Sequence, residues 1–270
     1  MKNRKNLFLG ICAAIFLLGI IMIINLSIGI LIDNKNLSKQ QDYLEQIKEA
    51  IPNESTEAFK PIEEIIMLSE YKTLYEENDD LIGWLKIDNT VIDYPVMQTL
   101  EDENYYLYRG FDKKDNQNGS LIMDTDSVVG VGTLENQYSG GISPSTNLII
   151  HGHTMKSGQM FGNLMLYENE EYGKEHNIIK FDSLYEHREY ELISVFYSQV
   201  FYKSDKVFKF YKFFEADTQD EFDEWYSNIK KMSCYDTNVT AAFGDEFITL
   251  SCCSYHVEDG RFVVVGKRIK

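Results

Sequence analysis

The chain has 270 residues, with 26 basic and 43 acidic side chains and a net charge of −17. So acidic a composition argues against nucleic acid or anionic lipid as a partner. Four cysteines are too few for a disulfide-stapled scaffold of this length.

Residues 1–6 form a short tail carrying Lys2, Arg4 and Lys5. Residues 7–32 then run without a charge, which exceeds the roughly 20 residues a helix needs to cross the hydrocarbon core. A cleaved signal peptide has an apolar core of only about 7–15 residues and a small-residue cleavage site, which is not seen here. The run is therefore expected to be an uncleaved transmembrane anchor. The basic tail predicts a cytoplasmic N-terminus, a single pass and everything from Asp33 onward outside the membrane. Those outer residues keep 23 basic against 43 acidic side chains, a net of −20.

Residues 33–74 read as an extracellular helical stalk and a packing helix. Residues 37–50 carry Leu44 and Ile47 at helical spacing, and Pro52 ends the pattern. A second helical pattern begins at Pro61 and runs to Glu77, with Ile62, Ile65, Ile66 and Leu74 as its apolar face. From about residue 75 the texture changes. Short β-branched or apolar runs alternate with turn residues: LIGWLKI, VIDYPVM, SLIMD, NLIIHG, NIIKF, YELISVFYSQVF, FITLSCC and RFVVVGKRI. Such spacing predicts a barrel or sandwich, mostly β. Asn118-Gly119 carries the signature of a hairpin turn. Residues 127–145, rich in Gly and Ser, predict an exposed loop. Asp217–Met232 predicts an amphipathic helix with Phe222, Trp225 and Ile229 on one face. No internal repeat is seen.

Reactive side chains concentrate in two places. An apolar strand delivers His151-Gly152-His153 to a loop. A later strand delivers Cys252-Cys253, a turn follows, and Arg261 opens the returning strand. If the two strands are antiparallel neighbours, Cys253 and Arg261 face each other across the hairpin mouth. Alternation separates the adjacent thiols. Ile248, Leu250 and Cys252 share one face, which reads as core. Thr249, Ser251 and Cys253 share the other, which reads as a polar groove. Cys253 is therefore the candidate nucleophile, and Thr249 and Ser251 are candidate substrate-binding residues.

A thiol attacks a carbonyl as the thiolate and needs a cationic or basic neighbour to reach that state. His153 suits this role and that of protonating a leaving amine. Arg261 keeps its charge, which fits an oxyanion or a substrate carbonyl rather than a base. Each residue alone has an ordinary structural explanation; together they form a set for acyl transfer.

The pattern resembles the sortases, class B in particular. Their motifs match Ile150-His151-Gly152-His153, Thr249-Leu250-Ser251-Cys252-Cys253 and Asp259-Gly260-Arg261 followed by Phe262-Val263-Val264-Val265. IGWLKIDNTVIDYPVMQ, NYYLYRGF, NGSLIMD and MFGNLMLYENEEYGKEHNIIKF are also similar to that class, as is the helix near 217–232. The resemblance spans residues 75–270 and implies an eight-stranded sortase β-barrel with flanking helices. It implies catalytic roles for His153, Cys253 and Arg261, and no cofactor or metal. The implied reaction cleaves a C-terminal sorting signal, an NPQTN-like or related pentapeptide, in a surface protein. The resulting thioester is passed to an amine of a cell-wall precursor or a pilin. Two positions depart from the family: Cys252 replaces a Thr, which raises a vicinal disulfide, and His151 replaces an aromatic residue.

Rival readings are less complete. An L,D-transpeptidase would carry an S-H-G-C-x-R-like cluster, which SCCSYHVEDGR lacks. Papain-like proteases place Cys before His, the reverse of the order here. A non-enzymatic metal-binding surface module would use His151, His153, Cys252, Cys253 and His256 around Zn²⁺. Adjacent cysteines on opposite faces suit a tetrahedral site poorly.

Overall fold

A computed structural model of the protein describes residues 65–132 and 142–270, together with scattered positions between 20 and 46. The expected anchor at 7–32, the helical pattern at 37–50, the polar stretch at 53–60 and the centre of the Gly/Ser-rich loop lie wholly or mostly outside the described residues. Among the described residues no helix is long and apolar enough to cross a membrane.

Each apolar run becomes one strand: β1 (Leu81–Lys86), β2 (Asp93–Met97), β3 (Leu121–Met123), β4 (Asn147–Gly152), β5 (Ile178–Ser183), β6 (His187–Gln199), β7 (Phe247–Cys253) and β8 (Gly260–Arg268). They close a barrel in the order β1-β2-β3-β4-β7-β8-β6-β5, so no strand is left with an unpaired edge. Most neighbours are antiparallel. The exceptions are β2 with β3 and β4 with β7, which run parallel. The parallel pair brings the C-terminal ends of β4 and β7 to one rim, and these are the segments that carry the reactive side chains.

Alternation sorts the barrel's residues as the sequence suggests. Leu148 and Ile150 of β4, Ile248, Leu250 and Cys252 of β7, and Phe262 and Val264 of β8 fill the interior. The opposite face of β6, β7 and β8 presents Ile193, Phe196, Phe247, Val263 and Val265, which need their own cover.

Among the residues from 65 onward that the structure describes, three α-helices flank the barrel: α1 (Ser69–Glu77), α2 (Glu170–Glu175) and α3 (Gln219–Met232). Helix α3 supplies the missing cover with Phe222, Trp225 and Ile229. Burying each such side chain contributes about 1.5–3 kcal/mol. Thr218 caps the helix and forms a reciprocal box with Glu221, so it starts two residues later than expected.

Two expectations are corrected. The helix expected from Pro61 is not formed over residues 65–68; among the described residues it begins at Ser69, and the Leu68 amide instead donates to the Leu184 carbonyl. Ile65 and Ile66 are consequently exposed, and Tyr71 and Leu74 form the buried face. Asn118-Gly119 is a turn, with Gly119 at φ 59°, but it joins no hairpin. The strand that follows it pairs with β2 in parallel, so the link must cross over.

Candidate active site

Strands β7 and β8 are antiparallel, and their register sets Cys253 opposite Arg261. Strand β4 ends beside β7 with Gly152 opposite Cys252, so His153 emerges next to the Cys253 backbone. Thr154 ties the two segments together, its Oγ1 donating to the Cys253 carbonyl at 2.5 Å. Gly152 is required there. A Cβ at this position would lie 2.6 Å from both Leu121 Cδ2 and Phe161 Cδ2.

These segments line a cleft of about 300 Å³ that contains His151, His153, Ser251, Cys253 and Arg261. The long β2–β3 connection closes its other side with Glu103, Asn104 and Leu107. That connection also orients the histidine. Nε2–H of His153 donates to the Leu107 carbonyl at 2.7 Å, and its ring stacks near Tyr108 with centroids 5.6 Å apart. A carbonyl only accepts, so the neutral ring carries its proton on Nε2 and offers Nδ1 for proton exchange. Arg261 Nη1 donates to the Gly260 and Asp259 carbonyls, at 3.0 and 3.2 Å. Its Nε and Nη2 have no partner among the described residues, which leaves donors for a ligand.

The two adjacent thiols occupy different environments. Cys252 is buried, and burial pushes its thiol up to about 12, with Thr154 and Arg261 offsetting only part of the rise. At neutral pH it is a protonated core residue. Cys253 is half-buried at the cleft wall. Both are free thiols, as is Cys234, so the structure contains no vicinal disulfide.

The remaining candidates separate. Ser251 lines the cleft, 2 % exposed, and its Oγ has no partner. Thr249 does not line it. It is 1 % exposed, and its Oγ1 donates to Asn147 Oδ1 at 2.9 Å, a buried link between strands. His256 turns to Ser254 Oγ, at 3.0 Å, and packs edge-on against Tyr197. Among the described residues no three His, Cys, Asp or Glu side chains converge as a metal-binding group.

Asp124, just past β3, was not singled out from the sequence. Its Oδ2 lies 3.2 Å from His151 Nε2 in the same cleft. Burial alone would raise its carboxyl, but the His151 contact and the Asp126 amide outweigh that and hold it below its ordinary value. Asp124, Leu107 and Glu103 come from distant segments with no local spacing to announce them.

The chain is similar to sortase B of Listeria monocytogenes, 29 % identical over 266 residues that cover 97 % of each chain. It is 26 % identical over 203 residues to sortase B of Staphylococcus aureus, covering 74 % of this chain and 75 % of that one. The crystal structure of sortase B from Bacillus anthracis, in complex with AAEK1, superposes with a TM-score of 0.67 at 28 % identity. That match covers 89 % of this chain and 99 % of the other. No protein-family model matches the sequence.

Proposed function

The chain belongs to the class B sortases, and from that premise we propose that it is a membrane-anchored cysteine transpeptidase with Cys253 as nucleophile. The observation that carries this reading is the convergence of Cys253, Arg261 and His153 on one cleft through the registers of β7–β8 and β4–β7.

In the proposed reaction the Cys253 thiolate attacks the carbonyl carbon of the scissile bond in a C-terminal sorting signal. The free Arg261 donors meet the developing oxyanion, where charge-assisted hydrogen bonds have most effect. His153, protonated on Nδ1 after taking the thiol proton, returns that proton to the leaving amine. The C–N bond breaks and a thioester remains. An acceptor amine, from a cell-wall precursor or a pilin, then attacks the thioester and restores the thiol. The sorting signal is proposed to be an NPQTN-like or related pentapeptide.

Purified full-length protein should cleave a fluorogenic member of a sorting-peptide library. Cys253→Ala, His153→Ala and Arg261→Ala should each lower turnover by 10³-fold or more, on the order of the loss when a member of a catalytic triad is removed. Cys252→Ala should retain most of it. An active Cys253→Ala protein would sink the proposal. The proposed anchor at 7–32 places the enzyme in the cell membrane with its catalytic domain outside. Protein made in cells should then stay with membranes after high-salt washing and be digested by protease added to intact protoplasts. Recovery in the protease-protected soluble fraction would contradict it.

A further inference from the structure

The cleft holds a second imidazole that the acylation chemistry does not use. His151 lies two residues before His153, and the β4–β7 register sets it opposite Ser251. Cys253 is two residues further along β7, so the backbones of His151 and Cys253 lie about 8 Å apart by strand geometry. Nε2–H of His151 donates to Asp124 Oδ2, which leaves Nδ1 as the acceptor nitrogen. Among the described residues Nδ1 has no partner. A carboxylate that holds an imidazole in one tautomer and steadies its protonated form is the arrangement that makes histidine an effective base. Asp124 is suited to that duty because its carboxyl is held below its ordinary value.

Two further features point to a ligand at this place. Glu103, on the facing loop, adds a second carboxylate to the cleft. The Ser251 hydroxyl, beside His151, is buried without a partner, a state that is costly unless a ligand supplies one. Arg261 stands opposite Cys253 and Asp124 contacts His151, so the cleft that Glu103 also lines carries its cationic and anionic groups at different positions.

We propose that Asp124, His151, Glu103 and Ser251 form the acceptor-amine site, where the carboxylates bind the incoming primary ammonium group and His151 Nδ1 removes its proton. This rests on the transpeptidase reading above. A primary ammonium group has no free electron pair and cannot attack a thioester. Transfer of one proton to His151 Nδ1 frees the pair, which attacks the thioester carbonyl carbon. The C–S bond breaks, the amide forms, and the second amine proton goes to the departing Cys253 sulfur. His151 then gives its proton to solvent.

The test uses full-length protein in detergent, a library-selected sorting peptide, and His151→Phe and Asp124→Asn variants. Acyl-enzyme formation on Cys253 is followed by mass spectrometry, and its release by triglycine and by hydroxylamine, which is already neutral at pH 7. Both variants should still form the acyl-enzyme. Release by triglycine should fall about 10²-fold, a typical contribution of a general base. Release by hydroxylamine should persist, and the triglycine deficit should shrink as pH rises and the amine loses its own proton. A merely structural role would slow both nucleophiles alike at every pH. That result, or unchanged triglycine release, overturns the inference. A wild-type chain that forms no acyl-enzyme overturns instead the transpeptidase reading beneath it.

Discussion

Cys252 and Cys253 are neighbours in sequence and lie on opposite faces of one strand. Strand alternation was enough to tell them apart, because the pattern Ile248, Leu250, Cys252 already named the core face. The consequence is measurable at high pH. The Cys252 thiol has an ordinary value near 9 and is pushed up to about 12 by burial. The folded state therefore holds this proton more tightly than the unfolded state. Its stabilising effect is complete below about pH 9 and is lost as pH rises toward about 12. Chemical denaturation of Cys252→Val should show a shallower loss of stability across that window than the wild type; identical slopes would contradict the burial assignment. The orientation of the proton-transfer groups was less legible. Leu107 fixes the His153 tautomer through a backbone carbonyl 46 positions away, and Asp124 meets His151 across 27. No periodicity records such contacts.

At the scale of elements, the end of β4 is a tightly packed junction. Its Gly152 sits against Leu121 and Phe161, so an added methyl group must push one of them aside. Gly152→Ala should cost about 1–3 kcal/mol, the usual price of overpacking. It should also lower peptide cleavage more than tenfold, because the displaced backbone carries His153. Thermal unfolding and steady-state cleavage check the two parts, and an unperturbed, fully active variant would refute the packing account. The strands and α3 were legible because their hydrophobic period is local: Phe222, Trp225 and Ile229 recur at helical spacing. Helix α1 was overextended for the converse reason. Ile65 and Ile66 fit a helical stripe, yet a long-range hydrogen bond from Leu68 to Leu184 holds the chain out of helix there.

Across the whole molecule, the parallel pairing of β4 with β7 creates the site. Sequence patterns identify antiparallel hairpins such as β7–β8, but not a parallel pairing that sets Ile149 opposite Thr249 and lets Thr249 donate to Asn147 across 102 positions. Closure also depends on a buried charged cluster at β5–β6 and β8. Arg188 is wholly buried, bound to Glu186 and to the Val129 and Gly130 carbonyls. Arg268 joins Glu246 nearby. Removing the Arg188 charge leaves the largely buried Glu186 carboxylate with only the more distant Arg268 as a cationic partner, so Arg188→Met should lower stability by about 3 kcal/mol. Equilibrium denaturation measures this, and a neutral effect would show that the cluster is dispensable.

Cys253, rather than Cys252, is proposed to carry the acyl group. Incubating the full-length protein with a cleaved sorting peptide, quenching in acid and mapping the adduct by tandem mass spectrometry tests it directly. A peptide fragment in thioester linkage to Cys253 is expected, absent in Cys253→Ala and released by added amine. An adduct on Cys252, or cleavage without any thioester, would contradict it.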